Sequence, residues 1–326
     1  MTTALVCSGG GHLKQLSRLV PRMSVDGQRL ADDNLVWVTF ETGLSRTILD
    51  GQEVCFVRYT KPRDYAGVLR LIGDAERLTR ARKVDRVVST GANLALSFLP
   101  STLTRRGAFH YVESAARADG PSATGRVMVR TPGVRRYAQY PWFDSRHWMH
   151  VGSVFDSFRP GERRERPIRR AVVTAGTTDS YEFRRLFEQA SKILPPEAEV
   201  MWQTGSTDVS GLRRVQSRPQ VPAGELAIAI READVVITHA GAGSALTALE
   251  MGRFPVLVPR KAAYGEHVDD HQQQVARELQ RRGLAVSCSI ENLDIEILED
   301  AASQSVEVVP DPVPFPLAGA ATKEYR

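Results

Sequence analysis

Short apolar runs alternate with longer amphipathic segments along almost the whole sequence. In the first half, runs rich in Val, Phe and Tyr predict strands, because these side chains fit a pleated, half-buried surface. Apolar positions at helical spacing predict the helices between them. The predicted strands are Ala4–Cys7, Leu35–Phe40, Val54–Arg58, Arg86–Ser89 and Ala108–Val112, and the predicted helices are Leu13–Met23, Asp64–Lys83 and Ala92–Leu99.

The second half repeats this rhythm. Its strands are predicted at Ala171–Ala175, Val200–Thr204, Val235–Thr238, Pro255–Val258 and Ala285–Cys288, and its helices at Glu182–Ile193, Gly224–Glu232, Ser244–Met251 and His271–Arg281. Regular alternation of strand and helix is typical of parallel sheets covered by helices on both faces. The fold class predicted is therefore α/β, with two Rossmann-like domains whose parallel sheets face a central cleft.

The domain boundaries follow from composition. The segment FRPGERRERPIRR is polar, charge-rich and bracketed by proline, as a linker is. We therefore predict a first domain over 1–157, a linker over 158–170 and a second domain over 171–300. The remaining tail, 301–326, contains PDPVPFPLAG, which predicts an extended or mobile strap because proline interrupts helices and central strands.

Composition excludes several classes of protein. The chain has 326 residues, of which 42% are hydrophobic and 25% charged, the balance of an ordinary globular protein. It contains no apolar run long enough to span a membrane and no secretory signal at its start. Cys7, Cys55 and Cys288 are widely separated, which disfavours a disulfide scaffold or a structural zinc site. We expect a cytoplasmic location.

Charge is divided unevenly between the halves. Residues 1–155 contain 22 Lys and Arg against 13 Asp and Glu, whereas the remainder contains 21 against 25. A basic front half would suit an anionic partner such as phospholipid head groups, a lipid diphosphate or nucleic acid, although scattered solubilising charge gives the same count. The half lacks the interleaved aromatic residues of a nucleic-acid module, so nucleic acid is the least favoured partner.

A glycine-rich turn follows the first predicted strand. Ser8, Gly9, Gly10 and Gly11 lead into a helix, where backbone amides can approach a phosphate at the positive helix end. It is not the dinucleotide fingerprint, because the third glycine of that motif would fall on a lysine. His12, at the end of the turn, is a candidate general base or a structural histidine that fixes the loop.

A second turn, THAGAGS, follows the strand that ends at Thr238. His239, Gly241 and Gly243 lead into a helix for which Ser244 is the predicted N-cap, and the amides there suit a diphosphate. About two turns into that helix, Glu250 would accept hydrogen bonds from a ribose diol or would face solvent.

The segment EHVDDHQQQVA has two possible interpretations as a site. His267 and His271 have the i, i+4 spacing of a metal pair, but the glutamate of the zinc motif is missing, so we expect no metal. Gln272 and Gln273, which follow Asp269–Asp270, suit the hydroxyls of a sugar, and a polar helix start is the alternative. Two further loops, at Gly176–Thr177–Thr178 and at Gln203, would line the same cleft or serve as ordinary strand ends.

These motifs resemble a known family. The run ITHAGAGSALTALEMGRFPVLVPR, followed by HVDDHQQQVA, resembles the donor domain of glycosyltransferase family 28, the MurG-like family. The front half resembles the partner subunit of the eukaryotic two-subunit N-acetylglucosaminyltransferase that acts on dolichol diphosphate, through SGGGH, YVESAAR, SATGR and QYPW. Bacterial exopolysaccharide pathways have similar split pairs, so the chain is similar to both subunits fused.

The resemblance implies a GT-B fold and inverting transfer of a hexose from a UDP-sugar, without a metal or other cofactor. Gly241, Gly243 and Ser244 would then face the diphosphate and Glu250 the ribose, while Gln272 and Gln273 would hold the sugar beside His271. Gly176–Thr178 would approach the diphosphate from the other side. His12 and Glu113 are the candidate bases for the acceptor hydroxyl.

The acceptor implied is a polyprenyl-diphosphate-linked saccharide. The eukaryotic partner subunit carries a membrane anchor that this sequence lacks, so we expect peripheral contact with the inner leaflet through the basic half. The stripe Val68, Leu71, Ile72, Ala75 and Leu78 would form an interfacial helix or pack into the core. A UDP-sugar epimerase of the same architecture and a non-catalytic nucleotide-sugar-binding subunit are the alternatives.

Overall fold

A computed structural model describes residues 1–61, 64–104, 107–143, 146–177, 181–267 and 271–318. The chain divides into two compact units. Unit 1 is Met1–Val154 together with the segment that begins at Pro312, and unit 2 is Phe155–Asp311. The division after Val154 lies close to the predicted domain boundary at residue 157.

Unit 1 is built on a seven-stranded parallel sheet. Its elements are β1 (Thr2–Cys7), α1 (Gly11–Leu19), β2 (Met23–Val25), β3 (Gln28–Arg29), β4 (Asn34–Phe40), α2 (Gly43–Ile48), β5 (Val54–Val57), α3 (Tyr65–Ala81), β6 (Arg86–Gly91), α4 (Leu94–Ser97), α5 (Leu99–Thr104), β7 (Ala108–Val112), α6 (Ala123–Val129), β8 (Val134–Ala138) and β9 (Met149–His150). The strand order is β5-β4-β1-β6-β7-β8-β9. All five strands predicted for this half are present, with ends shifted by a few residues.

Two predicted helices of unit 1 have different bounds. α1 ends at Leu19 instead of Met23, because Pro21 cannot continue an α-helix and the chain turns through a short 3-10 segment into β2. The predicted helix Ala92–Leu99 is divided between α4 and α5. β8 was not predicted, because Arg135 and Arg136 interrupt its apolar pattern.

The apolar stripe of α3 belongs to the core of unit 1. Val68, Leu71 and Ala75 are at most 5% exposed, and Leu78 packs against the same core cluster. The interfacial-helix interpretation is therefore wrong for this stripe, because its side chains are already covered by protein. The opposite face of α3 is exposed and carries Arg70 and Arg77.

Unit 2 has a five-stranded parallel sheet. Its elements are β10 (Phe158–Pro160), β11 (Arg170–Thr174), α7 (Arg184–Ile193), β12 (Glu199–Gln203), α8 (Ala223–Glu232), β13 (Val235–Thr238), α9 (Ala242–Glu250), β14 (Val256–Leu257), α10 (His271–Arg281), β15 (Val286–Ser287), α11 (Ile295–Ser303) and β16 (Val306–Val308). The strand order is β12-β11-β13-β14-β15. Every strand and helix predicted here is present, although α9 begins two residues earlier than expected.

The predicted linker and tail are more ordered than their composition indicates. β10 lies within the predicted linker and pairs antiparallel with β16, which lies within the predicted tail. A last strand, β17 (Phe315–Leu317), pairs in parallel with β2 at the edge of a small sheet in unit 1. Proline is tolerated in an edge strand because one side of that strand needs no partner. The segment is thus extended and packed, the first of the two predicted alternatives.

Arg22 fastens this last segment to unit 1. Its Nε donates to the carbonyl oxygen of Val313 (2.9 Å) and its Nη1 to that of Ser153 (2.7 Å).

Among the described residues, no helix is both long enough and apolar enough to cross a membrane.

Candidate functional site

The carboxyl edge of the unit 2 sheet gathers most of the predicted donor-binding residues. Because all five strands are parallel, the loops that follow them converge at one edge, the usual ligand position in open α/β sheets. The turn after β11 carries Gly176, the end of β12 carries Gln203, and the turn after β13 carries His239 and Gly241. The first turns of α9 and α10 begin at the same edge.

The N-terminus of α9 has no side-chain cap. Gly241 is the N-cap, with φ −68° and ψ 132°, so the prediction that Ser244 caps the helix is wrong. The helix begins two residues earlier than its sequence indicates, which leaves Ser244 inside the first turn. Thr247 Oγ1 donates to the Gly243 carbonyl (2.8 Å). The amides that open α9 are therefore available to an anion, which the helix dipole also favours.

His239 fills the space between the two glycine turns. A Cβ at Gly176 would lie 2.7 Å from its Cε1, and a Cβ at Gly241 would overlap its Nε2. The ring is 6% exposed, and burial, with the nearby Arg260 charge, lowers its pKa to about 3. His239 is thus a neutral packing partner that requires glycine on both sides. Ala240, which follows it, has φ 61°, a strained conformation for a residue with a Cβ.

Gln203 supports the Gly176 turn from below. Its Oε1 accepts from Thr174 Oγ1 (2.9 Å), and that hydroxyl accepts from the Gly176 amide (3.0 Å). Gln203 is 2% exposed, so its side chain shapes the turn. Thr177 is exposed beside the turn, and Thr178 lies outside the described residues.

Arg260, which the sequence reasoning missed, lies directly beneath this turn. It follows β14 and is 1% exposed, yet its Nη2 donates to the Ala175 carbonyl (2.9 Å). The backbone amide of Arg260 donates to Gln272 Oε1 (3.0 Å). Gln272, a buried residue in the first turn of α10, therefore also stabilises the loop after β14. The only sequence signal was a charged residue ending the apolar run that becomes β14.

Aromatic rings flank the start of α10. The Tyr181 and His267 rings are stacked with centroids 5.3 Å apart, and the His271 ring meets His267 edge-on at 4.7 Å. Gln273 is partly exposed on the same turn of helix. The structure thus brings His271, Gln272 and Gln273 to the carboxyl edge, while Asp269 and Asp270 lie outside the described residues.

Glu250 is not part of this cluster. It is the last residue of α9, and at a rise of about 1.5 Å per residue it lies about 12 Å along the axis from the N-terminal turn. Because a helical side chain points back toward the N-terminus, the Glu250 carboxylate extends part of the way toward that turn. The ribose-binding interpretation of Glu250 stays a prediction.

His12 has the geometry of an oriented base in unit 1. It is the second residue of α1, and its Nδ1 lies 2.8 Å from the Thr90 carbonyl oxygen. Only a protonated Nδ1 can make that bond, so the neutral ring carries its lone pair on Nε2. Thr90 Oγ1 also donates to the His12 carbonyl (2.9 Å), which fixes both ends of the residue.

The turn that precedes α1 resembles the turn before α9. Gly10 is the N-cap, with φ 69° and no side-chain cap, a conformation that glycine adopts readily. Gly9 packs near Thr42, the N-cap of α2. Ser8 and Gly11 are partly exposed at either side.

Glu113, the second candidate base, is an internal structural carboxylate. It is 1% exposed and accepts from the amides of Ser114 and Ser122 (both 3.0 Å), from Ser122 Oγ (3.1 Å) and from Tyr111 OH (3.3 Å). A Cβ at Gly125 would overlap its Oε2. Because protein groups already surround the carboxylate, we expect its main role to be structural, and its role as a base stays a prediction. Burial raises the pKa of Glu113.

In the part of the chain that the structure describes, no three His, Cys, Asp or Glu side chains are grouped so as to hold a metal ion.

Residues 170–308 match the model of the glycosyltransferase family 28 C-terminal domain. Unit 2 is a family 28 domain. The resemblance predicted from THAGAGS and HVDDHQQQ is confirmed over this unit, whose bounds nearly coincide with the match. The resemblance of unit 1 to a partner subunit stays a prediction.

A curated relative of this chain is the UDP-N-acetylglucosamine transferase subunit ALG13 of Yarrowia lipolytica, 37% identical over 90 residues. The match spans 27% of this chain and 44% of that protein.

Solved structures share the whole two-unit fold. MurG of Acinetobacter baumannii is 20% identical with a TM-score of 0.56, over 91% of this chain and 88% of its own. A UDP-GlcNAc 2-epimerase of Methanocaldococcus jannaschii is 11% identical with a TM-score of 0.58, over 97% and 96%. The chain therefore has the α/β GT-B fold predicted from the sequence.

Proposed function

We propose that this protein is an inverting glycosyltransferase that moves a hexose from a UDP-sugar to a polyprenyl-diphosphate-linked saccharide. The observation that carries the proposal is the start of α9 without a side-chain cap, at a glycine turn that packs on His239 in a family 28 domain. GlcNAc, glucuronic acid, galactose and glucose are all candidate donor sugars. Such a reaction belongs to the assembly of a polysaccharide or glycolipid, and exopolysaccharide is our candidate.

The donor half of the proposal rests on the unit 2 edge. The amides of Ala242–Ser244 would bind the diphosphate, and the Gly176 turn would approach it from the other side. Gln273 and His271 would face the sugar. The same amides would stabilise the negative charge that develops on the departing UDP.

The acceptor half rests on unit 1. Inversion needs a single displacement and one base, and His12 Nε2 would take the proton from the acceptor hydroxyl. The glycine turn Ser8–Gly11 would bind a phosphate of the acceptor at the uncapped start of α1. The basic composition of unit 1 supports peripheral contact with an anionic membrane surface, and no cofactor or metal is required.

A panel of UDP-sugars tests this function. The protein would be incubated with each donor, with and without a synthetic polyprenyl-diphosphate monosaccharide, and products identified by mass spectrometry. We expect UDP release that depends on acceptor and occurs with one donor, together with an acceptor heavier by one hexose. The anomeric configuration of that product, read by NMR, tests inversion.

A UDP-sugar epimerase is the second candidate, favoured by the shared fold of the Methanocaldococcus jannaschii epimerase. Conversion of a donor in the absence of acceptor would replace the transferase proposal by this one. Binding of UDP-sugar with no turnover over a broad acceptor panel would instead indicate a non-catalytic nucleotide-sugar-binding subunit.

A further inference from the structure

Arg260 is a buried cation whose hydrogen bonds are incomplete. Its side chain is 1% exposed, and Nη2 donates to the carbonyls of Ala175 (2.9 Å) and Tyr181 (3.3 Å). Its Nε and Nη1 are buried and have no hydrogen-bond partner among the described residues. A buried N–H group without an acceptor loses its hydration and gains nothing in return, so such groups are rare in folded proteins.

No carboxylate neutralises this guanidinium in the described part of the unit. Glu266 is the acidic group that acts on it, but the Glu266 carboxylate is bidentate to Arg185 (2.9 and 3.1 Å) and also accepts from the Lys261 amide (2.9 Å). Burial accordingly lowers the pKa of Arg260 to about 10, which still leaves it protonated near neutral pH. Among the described residues, the guanidinium thus shares its nearest carboxylate with Arg185, and its Cζ lies 5.7 Å from the centre of the Phe183 ring.

That charge lies at the carboxyl edge of the sheet. Ala175, which accepts from Arg260, is followed by Gly176, and the Gly176 turn contacts the His239 ring that packs on Gly241. Arg260 is close enough to His239 to be one cause of its lowered pKa. The unpartnered cation and the uncapped amides of α9 thus belong to the same small cluster.

We propose that Arg260 supplies the positive charge that holds the diphosphate of a nucleoside diphosphate at the N-terminus of α9. The inference rests on the proposed function and adds a specificity-determining residue to it. Helix amides provide partial charges only, whereas a guanidinium in a low-dielectric site provides a full one that water screens little. An anion bound at α9 would therefore compensate the charge that the fold leaves unpaired.

Binding of UDP and of uridine to three forms of the protein tests the inference. Wild type, Arg260→Met and Arg260→Lys would be titrated by calorimetry with each ligand, since uridine lacks the diphosphate. We expect Arg260→Met to weaken UDP binding by about 10- to 100-fold with little change for uridine, because only a charged ligand loses a buried ionic partner. Arg260→Lys should recover a large part of the UDP affinity.

Arg214→Met is the matched control. Arg214 also donates to main-chain carbonyls, those of Ser191, Leu194 and Pro195, but these residues precede β12 and so lie at the opposite edge of the sheet. We expect this variant to bind UDP as the wild type does. Thermal unfolding without ligand shows whether each variant is folded before titration.

Parallel loss of UDP and uridine binding in Arg260→Met would overturn the inference, because it would mean that Arg260 only shapes the loops. Unchanged UDP affinity would overturn it as well. If wild-type protein binds UDP in the expected way but transfers no sugar to any acceptor, the proposed function fails while the role of Arg260 stands. Failure of the wild-type protein to bind UDP would overturn both the proposed function and the role of Arg260.

Discussion

Each unit buries a charged side chain at the carboxyl edge of its sheet, and the two side chains differ in their hydrogen bonds. Glu113 in unit 1 and Arg260 in unit 2 are each 1% exposed. The carboxylate of Glu113 accepts hydrogen bonds from Ser114, Ser122 and Tyr111, whereas two nitrogens of Arg260 have no partner. Burial alone therefore does not distinguish a structural charge from one available to a ligand. The difference lies in whether the hydrogen bonds of the charged group are satisfied within the protein.

The two histidines of the glycine turns also differ in exposure and in hydrogen bonding. His12 is partly exposed and its Nδ1 is fixed by the Thr90 carbonyl, so its other nitrogen has the orientation of a base. His239 is buried, with a pKa lowered to about 3, so it is too weak a base near neutral pH. Similar turns thus hold an oriented, partly exposed histidine in one unit and a buried packing histidine in the other.

Replacing the oriented histidine should have the largest effect. We expect His12→Ala to lower turnover by about 10²–10⁴-fold while donor affinity stays unchanged, because a general base acts only in the chemical step. Steady-state kinetics with calorimetric UDP binding would measure both. His150→Ala, in the exposed strand β9, is the control. Near-normal turnover of His12→Ala would assign the base to another group.

Removing the satisfied carboxylate should damage stability rather than chemistry. Glu113→Ala would leave several buried donors without an acceptor, so we expect the free energy of unfolding to fall by about 3–5 kcal/mol. Urea titration against Glu41→Ala, an exposed glutamate, measures this. Loss of turnover with unchanged stability would instead support Glu113 as the base. Glu113 and Arg260 would then no longer differ as a structural and a functional charge.

Alanine at the two contact glycines should disturb each unit locally. The new Cβ of Gly125→Ala would overlap Glu113, and that of Gly241→Ala would overlap His239. We expect such overpacking to lower the free energy of unfolding by about 1–3 kcal/mol. Gly73→Ala and Gly224→Ala are matched helical controls whose Cβ meets no atom within 4 Å. We expect only Gly241→Ala to weaken UDP binding, and equal binding by all four variants would contradict the proposed donor site.

The most gradual expected effect is a pH dependence of stability. Burial lowers the pKa of His239, and of His110 in unit 1, to about 3 from 6.5. Between these values the unfolded chain binds more protons, so stability is fully present above pH 6.5 and is lost as pH falls toward 3, by up to about 1.4 kcal/mol per pH unit for each histidine.

Unfolding by urea at pH 4.5–7 would compare His239→Gln and His110→Gln with wild type. Each variant should show a shallower loss of stability on acidification than the wild type. An unchanged slope in either variant would mean that its histidine is protonated in the folded protein.

Much of the framework followed from sequence pattern because it depends on local regularities. Apolar runs such as Val235–Thr238 must be covered on both faces, which predicts a parallel sheet, and glycine after such a strand predicts a turn at a helix start. The helix His271–Arg281 was predicted to its last residue. Boundaries failed where local signals conflicted, as at Ser244, a good capping residue placed inside the first turn of α9.

The sequence by itself determined the order of elements, the two glycine turns and the family of unit 2, because periodicity and short motifs are written in neighbouring residues. Only the tertiary structure decided which polar groups meet. It placed Arg260 beneath the Gly176 turn, Glu250 at the far end of its helix and β17 beside β2, and it surrounded Glu113 with donors. These outcomes depend on contacts between residues that are distant in the chain. Whether a polar side chain is buried, and which group it bonds to, is fixed only when such residues pack together.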